Sequence, residues 1–93
     1  MTGPTLGDFS GAVGETYSVE AEGRGLALEL IAVEELPHSP RPGGAFRLEF
    51  RGPFDPILPQ AIYPFRRGGE ATEIFIVPIG REPEGTRYEA VYF

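Results

Sequence analysis

The chain has 93 residues, 41% of them apolar, a net charge of −6 and no cysteine. These figures describe one folded domain with a single core, and they exclude a disulfide scaffold and a thiolate metal site. The acid excess speaks against nucleic acid as a partner, because the eight arginines are spread along the sequence instead of forming a basic patch.

Lys, Asn and Trp are also missing, and His38 is the single histidine. Together with ten prolines and one Gln, this usage is shared by thermophile proteins and by products of GC-rich genomes. Residues 1–10 show neither the basic cluster nor the apolar stretch of a secretory signal. No apolar run approaches the ~18 residues of a spanning helix. A cytoplasmic location without membrane contact is the expectation.

From Thr5 to Val13, the spacing of Leu6, Phe9 and Val13 predicts a helical segment, with Thr5 as N-cap and Gly14 as its stop. Two turns are too short to hold alone, so the segment should dock through Leu6 and Phe9. Thr16 to Glu22 alternates, with Tyr17, Val19 and Ala21 on one face, which predicts a strand. Gly23-Arg24-Gly25 reads as a hairpin loop, and Leu26 to Val33 as its second strand.

Leu36 to Gly44 holds three prolines and two glycines and reads as a loop. Phe46, Leu48 and Phe50 then alternate with Arg47, Glu49 and Arg51, the cleanest strand signal in the chain. Gly52 to Gln60 is punctuated by proline yet carries Phe54, Ile57 and Leu58. Such a loop either folds back to cap the core or stands out as a contact surface.

Ala61 to Arg67 predicts a strand with Tyr63 and Phe65 on one face, and Pro64 places it at an edge or a bulge. After the Gly68–Gly69 turn, Thr72 to Ile79 predicts a fifth strand, apolar on both faces around Ile74-Phe75-Ile76-Val77 and ended by Pro78 and Gly80. Arg87 to Phe93 is the sixth, with Tyr88, Ala90 and Tyr92 on one face.

Six short-linked strands and one helical turn predict an all-β domain over residues 1–93, a small antiparallel meander closed as a barrel or stacked as a two-sheet sandwich. No internal repeat and no domain boundary are visible.

Candidate chemistry is sparse. Glu34, Glu35 and His38 lie close together but offer at most three ligands on a proline-held loop, which reads as an exposed segment and not as a metal site. Ser10, Ser18 and Ser39 lack a nucleophile-elbow setting, and Ser39 merely adjoins His38. Asp55 fits a turn between Phe54 and Pro56. No catalytic residue, cofactor or metal is expected. Paired-carboxylate chemistry would need acids such as Glu29, Glu49 and Glu73 to converge in a cleft.

The order of motifs resembles an uncharacterised bacterial domain family of similar length. The matching residues are Leu6-x-x-Phe9, Val13-Gly14, Tyr17, Leu28-x-Leu30, Phe46-x-Leu48-x-Phe50-x-Gly52-Pro53, Leu58-Pro59-Gln60-x-x-Tyr63, Phe75-x-Val77-Pro78-Ile79-Gly80 and Tyr88-Glu89-Ala90-Val91. Ala61 stands where that family commonly has Gly. The resemblance carries no activity. It implies the company of phage-tail collar-type proteins, and so an accessory part of a tail-like assembly.

The expected function is a non-enzymatic structural or protein-interaction module. Its contacts, with a protein partner or in a homo-oligomer, are expected at Phe54, Ile57, Leu58, Tyr63, Tyr92 and Phe93. The alternative is a small β-barrel that binds a peptide or small apolar ligand, with residues 52–60 as its rim.

Overall fold

The computed structural model describes residues 6–21, 23–36 and 45–92. They form a four-residue helix, α1 (Leu6–Phe9), and six strands: β1 (Thr16–Ala21), β2 (Arg24–Leu36), β3 (Ala45–Gly52), β4 (Ala61–Arg67), β5 (Glu70–Glu82) and β6 (Gly85–Tyr92). Every strand pair is antiparallel, and the sheet closes as a barrel in the order β1-β2-β3-β6-β5-β4. The all-β architecture is the one the alternation predicts.

The connectivity differs from a simple meander. β3 does not pair with β4; it pairs with β6, and β4 closes against β1. The cause lies in residues 53–60, where Pro53, Pro56 and Pro59 forbid a tight hairpin and carry the chain across the barrel to a new position.

Two halves follow one plan. Each runs short strand, two-residue turn, 13-residue strand, short strand. The turns are fixed by the pairs Ala21↔Arg24 and Arg67↔Glu70. β2 pairs with β1 up to Glu29 and with β3 from Glu29 onward, whereas β5 pairs with β4 up to Ile76 and with β6 from Val77. Each long strand also carries a register shift, at Leu30/Ala32 in β2 and at Pro78/Gly80 in β5. A bulge adds twist and bends a strand, which lets one strand serve two walls of the barrel. The sequence hides this repeat because the plan recurs and the residues do not.

Several boundaries move for local reasons. Pro78 and Gly80 do not end β5; they form its bulge, a position where a missing N–H is tolerated, and the strand runs on to Glu82. The first hairpin closes at the pair Ala21↔Arg24, with Gly23 at φ +76°, so Arg24 already belongs to β2. α1 stops at Phe9 and does not run on to Val13 as the spacing predicts; Ala12 is buried and Val13 is 52% exposed. The proposed N-cap Thr5, most of the Leu36–Gly44 loop and Phe93 lie outside the described residues.

The core is built from the inward rows of every strand. Val19, Leu28, Leu30, Phe46, Leu48, Phe50, Ile74, Ile76 and Tyr88 are fully buried. Side chains of this size contribute roughly 1.5–3 kcal/mol each on burial. Phe9 packs against Phe46 with ring centroids 6.0 Å apart, so α1 docks as its spacing predicts, with Leu6 beside it. Phe50 and Phe65 meet at 4.8 Å across the barrel and Tyr17 lies edge-on to Phe50 at 5.8 Å. The closing ladder is short: β1 meets β4 only at Ser18↔Arg66 and Val19↔Phe65. It ends next to Pro64, which has no N–H to give. The edge character expected of β4 is thus present on its β1 side.

Candidate interaction face

Alternation decides which side chains β4 and β5 turn outward. Phe65, Ile74 and Ile76 point to the core, which leaves Ile62, Phe75 and Val77 on the opposite face. Ile62 and Phe75 are direct cross-strand partners and are 62% and 46% exposed. Val77 is opposite Glu89 of β6, and Val91 follows Glu89 on the same face at 37% exposure. Beyond the Ile62–Phe75 pair, Pro64 is opposite Glu73, an exposed acid. The outer wall of β4, β5 and β6 therefore presents apolar side chains with carboxylates beside them.

The adjoining wall, β3 with β6, holds an ion-pair network. Arg47 donates from Nε to Glu89 at 2.8 Å and from Nη2 to Glu49 at 3.0 Å, with Glu34 at 3.7 Å. Arg87 donates from Nε to the other oxygen of Glu49 at 2.6 Å, pairs with it again through Nη2, and lies 3.6 Å from Glu82. Four carboxylates thus share two guanidiniums. Glu49 is only 8% exposed although it belongs to the outward row of β3. Its register partner on β6 is Glu89, and two directly opposed carboxylates are tolerable only because the arginines lie between them. The same neighbours hold the Arg47 guanidinium's pKa above its ordinary value, against a desolvation that works to lower it.

The segment 53–60 both caps and projects. Leu58 enters the core, and its N–H donates to the Tyr88 hydroxyl at 2.9 Å. Phe54 and Ile57 stay out, at 49% and 41% exposure. Arg81 fixes the tip: it donates twice to the Phe54 carbonyl, at 3.1 and 2.8 Å, and its guanidinium lies 3.8 Å from the Phe54 ring centre. Thr86 donates to the same carbonyl at 3.1 Å.

The residues expected to make contacts therefore separate. Phe54 and Ile57 are surface residues of a pinned loop, whereas Leu58 is a core residue with no surface to offer. Tyr63 and Tyr92 are half-buried: Tyr63 donates to the Pro59 carbonyl at 2.7 Å, and Tyr92 stacks on Phe46 at 4.8 Å. Phe93 lies outside the described residues. The outward pair Ile62–Phe75 was not among those expected contacts. Its signal was present in the two-faced run Ile74-Phe75-Ile76-Val77, whose odd members must face out once the even ones are buried.

The acids considered for catalysis do not converge in a cleft. Glu29 sits 3.6 Å from Arg51, Glu49 is enclosed by two arginines, and Glu73 is exposed. Ser10 and Ser18 are exposed; His38 and Ser39 lie outside the described residues. Among the described residues there is no group of three or more side chains suited to a metal ion, and no helix long and apolar enough to cross a membrane. An open groove of about 480 Å³ runs between Leu26, Glu29, Arg51 and Glu84 on the outside of the barrel.

No curated protein and no solved structure matches the chain. A family model does match, over residues 4–92, and nearly the whole chain lies within it. The protein is therefore a member of the family described as Domain of unknown function (DUF6916).

Proposed function

We propose that this protein is a cytoplasmic, non-enzymatic interaction module that docks a protein on the outer face of β4, β5 and β6. The observation that carries the reading is the Ile62–Phe75 pair, two large apolar side chains side by side on a barrel wall and both open to solvent. A single exposed apolar residue needs no explanation, but adjoining ones on a rigid sheet mark a surface that another molecule covers. Phe54 and Ile57, presented by the Arg81-pinned loop, form a second contact element whose ordering cost is met before binding. The filled interior supports contact at the surface over capture of a ligand within, since Phe50, Phe65, Tyr17 and Tyr88 already occupy that space. An accessory role in a tail-like assembly, the setting implied by the resemblance above, suits a module of this kind.

A photo-crosslinking amino acid at position 75, installed in the protein within its native cells, tests the proposal. A discrete protein adduct from position 75, with none from the exposed position 84, is the expected result. Diffuse or equal labelling from both positions would overturn it.

A further inference from the structure

We infer that the open groove beside β2 is a strand-addition site, whose occupant is an extended apolar segment of a partner polypeptide held by its backbone. The site is separate from the β4–β6 face and does not depend on it.

The direction of the β2 backbone carries the inference. Leu30 donates its N–H to the Glu15 carbonyl at 2.9 Å and accepts from the Gly14 N–H at 2.8 Å, so both of its backbone groups point to the β1 side. Backbone groups alternate sides along a strand, and the β1–β2 register is unbroken from Glu29 back to Arg24. Leu28, Leu26 and Arg24 therefore also turn their N–H and carbonyl to β1, while Glu29, Ala27 and Gly25 turn theirs the other way. Glu29 meets Arg51 there. Continuing that register puts Pro53 opposite Ala27, but Pro53 has no N–H, and its carbonyl accepts from the Thr86 N–H at 3.3 Å. The β2–β3 ladder ends at Arg51, and no described strand takes its place beside Gly25 and Ala27.

Shape and composition fit an inserted strand. The groove, about 480 Å³ in volume, has Gly25, Leu26 and Ala27 along one side and Gly52 and Pro53 along the other. Gly25 and Ala27 are exposed, and a Cβ at Gly25 would meet nothing within 4 Å. The edge Gly25-Leu26-Ala27-Leu28 has none of the charges or prolines that keep exposed edges from pairing. Counted from the two-residue turns, β5 carries Glu73 at the place of Ala27, so the second half has such a charge and the first does not. An extended chain supplies N–H and carbonyl groups at the spacing of Gly25 and Ala27, and half-buried Leu26 offers an apolar contact to one of its side chains. The same edge of a second copy does not fit, because it is itself one wall of a groove faced by Pro53 and cannot enter another.

The test is a nuclear magnetic resonance titration of the full chain with a neutral probe, a capped pentapeptide of alternating Thr and Val, and with the same peptide N-methylated at every residue. In the free protein the Gly25 and Ala27 amides should exchange with water much faster than those of Leu26 and Leu28. The unmethylated peptide should shift the amides of Gly25 and Ala27 and slow their exchange, and N-methylation should weaken its binding at least about tenfold. Ala27→Pro should have a similar effect; the Ala27 N–H takes no part in the β1 ladder, so the fold should hold. Ala27→Glu, which keeps the N–H and adds the charge that β5 carries, should weaken binding about threefold. Ile62→Ser on the β4–β6 face should leave it unchanged. Slow exchange at Gly25 and Ala27 in the free chain would overturn the inference, because the edge would already be covered. So would equal affinity for the two peptides, binding that survives both Ala27 variants, shifts centred on β4 to β6, or no binding at about 5 mM peptide.

Discussion

Gly85 is a position where the fold permits one residue type. Its φ is +147°, and a Cβ there would fall on the carbonyl oxygen of Gly52. β3 and β6 converge at this point through the pair Gly52↔Thr86, so neither strand has room to retreat. Gly85→Ala should cost about 3 kcal/mol or more, from strained backbone and steric conflict together. Gly80, which has open space around it, is the control, and its Ala variant should stay within about 1 kcal/mol of the parent. Urea denaturation of the two variants checks the pair, and similar losses would show that Gly85 is not special. Glu49 is the second such residue. Glu49→Gln removes the charge that both Arg47 and Arg87 contact and leaves two guanidiniums facing each other across a poorly hydrated wall. A loss of about 1–3 kcal/mol is expected, against almost none for the exposed Glu73→Gln. Equal effects at the two sites would mean that the network is solvated after all.

Among the elements, the 53–60 segment shows how one loop can be both core and surface. Its Leu58 is held by the Tyr88 hydroxyl and its tip by Arg81. Tyr88→Phe keeps the buried ring but strands the Leu58 N–H, so stability should fall by about 1–2 kcal/mol and the Leu58 amide should exchange faster. Unchanged exchange at Leu58 would show that this bond does not anchor the loop. The sequence made the loop's dual nature visible as a choice between capping and projecting, and the structure assigns each role to different residues. Strand identity was legible wherever alternation was clean, as in Phe46-x-Leu48-x-Phe50, because a two-residue period admits one burial pattern. The bulge at Pro78–Gly80 was not, since the same two residues punctuate a strand end and a strand bend, and only the partner strand distinguishes them. The covering of Glu49 was not legible for a related reason: alternation assigns its side chain to the outer face, correctly, but cannot say that neighbouring arginines will cover it. The exposed Ile62–Phe75 pair could be read face by face, yet its pairing required the β4–β5 register.

Across the whole molecule, the order β1-β2-β3-β6-β5-β4 lies beyond what local pattern can determine, because two similar three-stranded halves can be joined in more than one way. The junctions are unequal. β3 and β6 share a ladder of seven residue pairs, whereas β1 and β4 share two. Closure at the weaker seam therefore leans on side chains, and Tyr17 is central to it, touching Phe50 of β3 and Phe65 of β4 while Arg67 lies 5.6 Å from its ring centre. Burial raises the Tyr17 phenol above its ordinary pKa of 10.0, and Arg67, which works in the opposite direction, does not cancel the effect. The sign of the consequence follows by linkage. The folded state holds this proton more tightly than the unfolded state, so the stabilisation is complete below pH 10 and drains away as pH rises through the folded value. Stability should thus be insensitive to Tyr17 near neutral pH and fall on the alkaline side, with the β1 and β4 amides the first to lose protection from exchange. Tyr17→Phe keeps the ring contacts and has no proton to lose, so its stability curve should be flatter above pH 10. Urea midpoints for the two proteins, measured from neutral to strongly alkaline pH, check this. Parallel curves would mean that alkaline loss arises elsewhere, and that the seam is not the barrel's point of opening.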